Sequence, residues 1–515
     1  MLRIAKTENG LVRGLPAADP RITSFKGIPF AAPPVGDLRW RAPQPAQDWK
    51  GVRECFEFAP ISMQYVPGAN PEDFYAREWH VDPQIPMSED CLYLNIWTPA
   101  VTGEEKLPVL VWYFGGAFQC GYTAEMEFDG ERLARRGLIV VTVNYRVNVF
   151  GFLAHPELTA EHPEAPANFG CLDQQAGLLW VKRNIAAFGG DPDNITIAGQ
   201  SAGGASVMAQ LNNPVSAACV SHAIVESGVF VQPYDAPRIS TLAELEQKGV
   251  EFFRFLGIET LAEARALPAV LLRNKMEEFG VFWSVVADGK FQKQISWDTA
   301  KRGALPDIPL LIGDTNAEFF AVPQAETDED LRALAERHFG TDADRFLSLI
   351  GAQEGLEQAK QRATVSAVEI AIRALANRRE EKGAKSPCYV YEFGPEIPGW
   401  DNPGAFHSSD LWFFFETLAK CWRPFTGKHY DLARQMCNYW AAFIKTGNPN
   451  CSDADGTPQE EWKPWSEASP ERMTFYDTPK SESCPAGSVM EFFVEREKAW
   501  PSPHCTGLSR PTKGE

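Results

Sequence analysis

A chain of 515 residues that is 44% hydrophobic and 23% charged has ample material for a large buried core, which excludes the disordered and fibrous classes. Its formal net charge of −19 argues against nucleic acid and anionic membrane surfaces as partners and leaves solubility as the plain reading of the acid excess. No stretch reaches the ~18 uninterrupted apolar residues of a membrane span, and Met1–Thr7 lacks the apolar core of a signal peptide, so a cytoplasmic protein is expected.

Residues 1–60 read as short strands and Pro-rich turns, with Phe25–Pro34 the densest turn signal, and Ser62–Met87 reads as a polar surface loop. Leu107–Tyr113 is an apolar strand that runs into Phe114-Gly115-Gly116-Ala117-Phe118. Leu138–Tyr145 is a β-branched run of the kind buried on both faces of a sheet. Asp173–Phe188 has helical spacing and is stopped by Gly189-Gly190-Asp191-Pro192, and Ile195–Ile197 is a strand end leading to Ser201. His222–Glu226, Ile308–Ile312 and Pro387–Phe393 read as further strands. Leu242–Leu256, Asp328–Leu349, Leu356–Glu381 and Asp431–Lys445 read as helices, the last ended by Gly447. This alternation predicts an α/β fold with a mostly parallel, helix-covered sheet. One large domain over 1–515 is expected, with insertions at about 60–87 and 232–390.

The stretch 199–203 has the form G-x-S-x-G between a strand and a helix rich in small residues. A serine on such a sharp turn projects its hydroxyl into a cleft, so Ser201 is a candidate nucleophile. The 11 cysteines contain no C-x-x-C pair, and no H-E-x-x-H, phosphate loop or dinucleotide fingerprint occurs. Neither a metal nor a cofactor is therefore expected, and the cysteines are expected to be mostly free core thiols.

Several separate blocks occur in one order along the chain. They are Phe25–Pro34 with Arg39-Trp40, Ser88–Asn95, Gly115–Phe118, Asn144-Tyr145-Arg146, Asp173–Gly204, Glu226-Ser227-Gly228, Asp288-Gly289 and Trp440–Asn450. With these blocks the chain resembles the type-B carboxylesterases, the α/β-hydrolases that include the cholinesterases. The resemblance implies an α/β-hydrolase fold and a cofactor-independent serine esterase acting on a small-molecule ester through an acyl-enzyme. A hydrolase of a bulky ester or polyester is the same-class alternative. A non-catalytic binding protein on this fold is the different-class one.

A serine nucleophile needs a general base, and the base an orienting acid, in the chain order Ser, acid, His for this fold. His80, His155 and His162 precede Ser201, and no acid-bearing block separates His222 from it. His338, His429 and His504 are expected to be solvated. His407 remains, and it matches the family's H-x-x-[DE]-L position. For the acid, Ile312–Phe319 matches the family's loop after a strand, which points to Glu318, with Asp314 as the rival whose other role is a turn or cap. Asp410 is expected to make a structural hydrogen bond.

The oxyanion would be held by the backbone N–H groups of Gly116, Ala117 and Ala202, with Gly115 giving the turn its freedom. The resemblance also implies buried ion pairs Arg39–Glu89 and Arg146–Asp173. Cys91 matches one half of a family disulfide whose other half falls here on Ser62; either Cys55 pairs with it or the bridge is absent. Phe114, Phe319 and Ser62 depart from the family pattern. Phe114, Phe118, Phe282, Trp283, Trp412, Phe413, Phe414 and Phe415 fall near the expected pocket, with core packing the alternative for each.

Overall fold

The computed structural model describes residues 1–65, 72–79, 84–234, 239–484 and 487–498. The apolar, β-branched runs gather into one mixed sheet of 11 strands. Numbered along the chain, its strands are β1 (Leu15–Pro16), β2 (Thr23–Pro29), β3 (Tyr93–Thr98), β4 (Leu107–Tyr113), β5 (Ile139–Val143), β6 (Gly190–Gln200), β7 (His222–Glu226), β8 (Leu310–Thr315), β9 (Cys388–Phe393), β10 (Glu471–Phe475) and β11 (Pro479–Ser483). Their spatial order is β11-β10-β9-β8-β7-β6-β4-β5-β3-β2-β1. From β5 to β10 every neighbouring pair is parallel, and the flanking pairs are antiparallel.

Seven helices matter for the site: α1 (Phe169–Asn184), α2 (Ala202–Asn212), α3 (Leu242–Leu256), α4 (Ala269–Phe279), α5 (Asp328–Phe339), α6 (Ala367–Glu381) and α7 (Gly427–Thr446). The central strands are apolar on both faces because both faces are covered. On β4, Leu110 and Trp112 join the core shared with α3 and α7, while Val109, Val111 and Tyr113 face the core shared with α1, α2 and α6. The helices begin and end where local chemistry dictates. Capping boxes open α3 at Thr241 and α5 at Thr327, and left-handed glycines close α3 at Gly257 and α7 at Gly447.

Two helices read from the sequence need correction. The helix read over Asp328–Leu349 is two, broken by a tight turn at Gly340–Asp342. The one read over Leu356–Glu381 is also two, ending at Ala363. Between them, Val365 and Ser366 pair with Phe320–Ala321, and Ser366 then caps α6 by accepting from Glu369 N–H. Gly189 does end the helical segment, with φ 83°, but Gly190–Pro192 already belongs to β6. Within the loop read at Ser62–Met87, Phe74–Glu78 forms a short helix capped by Asp73.

Both expected ion pairs are present and nearly dry. Arg146 grips Asp173 with Nε at 2.8 Å, and Arg39 grips Glu89 at 2.6 Å. Cys55 and Cys91 are buried free thiols, and the Cys91 thiol hydrogen-bonds Ser62, the residue standing where a partner cysteine was sought. Among the described residues no helix is long and apolar enough to cross a membrane.

Candidate active site

Ser201 closes β6 and caps α2 with φ 57° and ψ −123°, a left-handed conformation that costs a non-glycine residue about 1–3 kcal/mol. The turn survives because its surroundings determine it. The Ser201 N–H donates to Glu226 O on β7 at 2.8 Å, and its carbonyl accepts from Ala205 N–H at 2.9 Å. The flanking glycines are needed for space rather than for φ. A Cβ on Gly203 would lie 2.0 Å from Tyr113 O, and one on Gly199 would lie 2.4 Å from Gly203 C and O. The backbones of β4, β6 and α2 thus touch directly, which places the serine at the carboxyl edge of the sheet.

Three side chains from distant parts of the chain meet there. His407 Nε2 lies 2.9 Å from Ser201 Oγ, and His407 Nδ1 lies 2.7 Å from Glu318 Oε2. The other carboxylate oxygen, Oε1, accepts from Ser227 Oγ at 2.5 Å and from Thr315 Oγ1 at 3.1 Å. Burial pushes the Glu318 carboxyl up, but the charge of His407 and the hydrogen bonds from His407, Ser227 and Thr315 outweigh it and hold it below the usual range. Glu318 is therefore a buried carboxylate that stays ionised beside an imidazole.

Asp314 is not part of this arrangement. It sits in β8 beside Glu392 of β9, neither a turn nor a cap, and faces Glu369, Glu392 and Arg472. Burial, followed by the charges of its acidic neighbours, drives its carboxyl well above the ordinary value. Asp410 accepts from Tyr391 Oη at 2.9 Å, a structural bond as expected from the sequence.

Other histidines lie elsewhere; His162 sits beside Glu161, and His338 is half-buried in α5. His222 lies against Thr196 and Phe443, and His155 caps the helix Pro156–Glu161 and stacks on Phe253. His429 corrects the expectation of a solvated side chain: at 4% exposure it closes the capping box of α7, and its Nε2 meets Glu396 O at 3.1 Å. His80 and His504 lie outside the described residues.

The turn after β4 faces the serine. Its positive φ values fall on Gly116 (101°), Ala117 (57°) and Phe118 (62°), not on Gly115. Gly115 is small for another reason, since a Cβ there would stand 2.9 Å from Gln200 O and 3.2 Å from Ser201 Cβ. Gly116 is irreplaceable on both counts, as its Cβ would meet Cys120 O at 2.3 Å. Among the described residues, the N–H groups of Gly116, Ala117 and Ala202 donate to no protein acceptor. An oxyanion site requires free N–H groups; the turn carrying two of these meets Ser201 at Gly115, and Ala202 follows the serine in the chain.

The aromatics divide. Phe114 is buried and stacked on Tyr145 at 4.1 Å, while Trp412, Phe413, Phe414 and Phe415 belong to the core shared with α7. Phe319 does reach the site: the residue is 53% exposed and its ring stands 4.5 Å from the His407 ring, with Phe230 on the same side at 6.3 Å. Sequence reasoning missed two polar neighbours. Ser227 lay in a quoted block without a role, and the Gln200 amide, 3.3 Å from His407 Nε2, sits next to the nucleophile. A hydroxyl following an acidic strand end was the only signal for Ser227.

Residues 2–493 match the family described as the carboxylesterase family. Among characterised proteins the chain is similar to a fumonisin B1 esterase of Sphingopyxis macrogoltabida, at 32% identity over 485 residues covering 89% of this chain and 84% of that one. It is also similar to a para-nitrobenzyl esterase of Bacillus subtilis (strain 168), at 33% identity over 473 residues covering 87% and 91%. A solved PNB esterase structure superposes with a TM-score of 0.75 and 30% identity, covering 96% of this chain and 100% of that one.

Proposed function

Since the chain belongs to the carboxylesterase family, has the α/β-hydrolase fold and hydrolyses carboxylic esters, we propose that Ser201, His407 and Glu318 carry the reaction. The observation that supports this most directly is the unbroken line of hydrogen bonds from Ser201 Oγ through both ring nitrogens of His407 to Glu318.

Ser201 Oγ attacks the ester carbonyl carbon while His407 Nε2 takes the hydroxyl proton. Glu318 holds the Nδ1 proton, fixes the ring and stabilises the imidazolium. The carbonyl oxygen becomes an oxyanion held by the N–H groups of Gly116, Ala117 and Ala202. The tetrahedral intermediate collapses, His407 returns its proton to the departing alkoxide, and an alcohol leaves an acyl-enzyme. Water, deprotonated by His407, then attacks the acyl carbon; a carboxylic acid departs and Ser201 regains its proton. Ester and water supply every atom consumed. The half-exposed Phe319 ring beside His407 supports substrates with an apolar group on that side.

Turnover of p-nitrophenyl acetate and butyrate tests the roles. Ser201→Ala is expected to remove the burst and lower kcat by about 10⁶. Glu318→Gln should cost about 10⁴ in kcat, and Asp314→Asn far less. Ser201-independent hydrolysis, or a larger loss at Asp314, would overturn the assignment.

A further inference from the structure

The turn Gly116–Phe118 holds an alanine and a phenylalanine at positive φ, so something outside it must keep it in shape. Part of that restraint is local: Gln119 and Cys120 N–H groups donate to Gly116 O at 2.9 and 3.1 Å, and Asn148 N–H donates to Phe118 O at 2.6 Å. Asn148 Nδ2 adds a bond to Gln119 O at 3.1 Å, and the Gln119 side chain ties the turn to a distant segment. The Gln119 amide Nε2 donates to Ala117 O at 3.0 Å and also to Trp283 O, while Gln119 Oε1 accepts from Trp283 N–H at 3.4 Å. The orientation follows from the neighbours, because the opposite flip would set an oxygen against two carbonyls.

Gln119 thus pairs with the Trp283 peptide edge as a neighbouring strand would. The same grip recurs three residues on, where the Asn168 side-chain amide donates to Val286 O at 2.9 Å and accepts from Val286 N–H at 3.0 Å. Trp283 itself is fully buried, packed against Phe252 of α3 and Phe279 of α4. The segment packed on α3 and α4 is therefore tied through one amide to the carbonyl of Ala117, whose own N–H is one of the proposed oxyanion donors.

We infer that Gln119 is a positioning residue for ester hydrolysis: its amide locks the Gly116–Ala117 turn to the Trp283 segment and so holds the oxyanion donors in register with Ser201. The inference rests on the reading of Gly116 and Ala117 as those donors. It deepens that reading by making oxyanion geometry depend on the α3–α4 layer.

Two variants test it. Gln119→Leu removes both ends of the grip; Gln119→Glu keeps the shape and the acceptor but turns a carboxylate oxygen toward Ala117 O and Trp283 O. Each is expected to lower kcat on p-nitrophenyl acetate by about ten- to a hundredfold with KM little changed, the scale of a misplaced donor. Affinity for an alkyl trifluoromethyl ketone, whose Ser201 adduct puts an oxyanion in the same place, should fall by the same factor. A purely structural role would lower Tm without that parallel. Unchanged kcat in both variants, or lost kcat with wild-type ketone affinity, overturns the inference. If Gln119→Leu does not fold, the isosteric Gln119→Glu decides alone on the same two readouts. Ser201→Ala separates the layers: if it stays active the nucleophile assignment fails, and if it is dead while the Gln119 variants are silent only this inference fails.

Discussion

Ser227 shows how a carboxylate can work while almost dry. Glu318 gives Oε2 to His407 and leaves Oε1 to Ser227 and Thr315, so both of its oxygens are engaged in one geometry. Removing the Ser227 hydroxyl deprives a buried charge of a donor, worth about 1.5–3 kcal/mol for a charged acceptor. Ser227→Ala is expected to lower kcat about tenfold at constant KM, because the acid no longer fixes the imidazole as firmly. Wild-type kcat in that variant would show that Thr315 suffices. The three side chains that meet at the site, Ser201, His407 and Glu318, were all legible in the sequence, because each sits in a local pattern with a stated order. Ser227, Gln200 and Gln119 were not, since a side chain that acts across a sheet edge leaves no periodic or motif signal. His429 misled for the related reason that a histidine beside Lys428 reads as exposed, whereas here it caps α7 from inside.

Strand and helix types were also readable, and the breaks between them less so. β4 through β9 announce themselves as apolar runs because both faces are covered. The separation of Leu356–Ala363 from α6 depends on Val365 and Ser366 finding Phe320 and Ala321, a pairing invisible to helical periodicity. The α2–β6 contact had the opposite character: the two glycines around Ser201 look like motif decoration and prove to be steric necessities. Gly203→Ala places a methyl 2.0 Å from Tyr113 O, and the helix can only back away. Such overpacking costs about 1–3 kcal/mol, so the variant should show a lower Tm together with a loss of p-nitrophenyl ester turnover out of proportion to the remaining folded fraction. A fully active, fully stable Gly203→Ala enzyme would contradict backbone contact at this point.

Across the whole protein, several acids are buried where desolvation outweighs any neighbouring positive charge. Burial pushes Glu125 up to about 7 and Asp410 up to about 6, from ordinary values of 4.5 and 3.8. Burial, reinforced by the neighbouring acids, drives Glu127 and Glu226 well above the normal carboxylate value, as it does Asp314. The native state holds these protons at pH values where the unfolded chain has released them. Their contribution to stability is complete in acid, and it is lost as pH rises through 6 to 7. Carboxylates lowered by partners, such as Glu161 beside Arg265 and Arg41, act oppositely, but only as pH falls from 4.5 toward 2. Thermal denaturation should therefore give a Tm that declines from about pH 5 to about pH 8. A Tm that is flat or rising over that range would mean that the buried acids are ionised at little cost.

The sheet order also fixes when the chain can become an enzyme. Ser201 and His407 are separated by 206 residues and Glu318 lies between them, so the proposed nucleophile sits at the end of β6 while its proposed base comes from a loop beyond β9. A nascent chain that has emerged only as far as α6 contains Ser201 but not His407, the base proposed for it. On the proposed roles, hydrolysis waits until the last third of the chain, with His407, meets the middle third, with Ser201 and Glu318. A truncated copy that ends before His407 would carry the Ser201 hydroxyl without its proposed base.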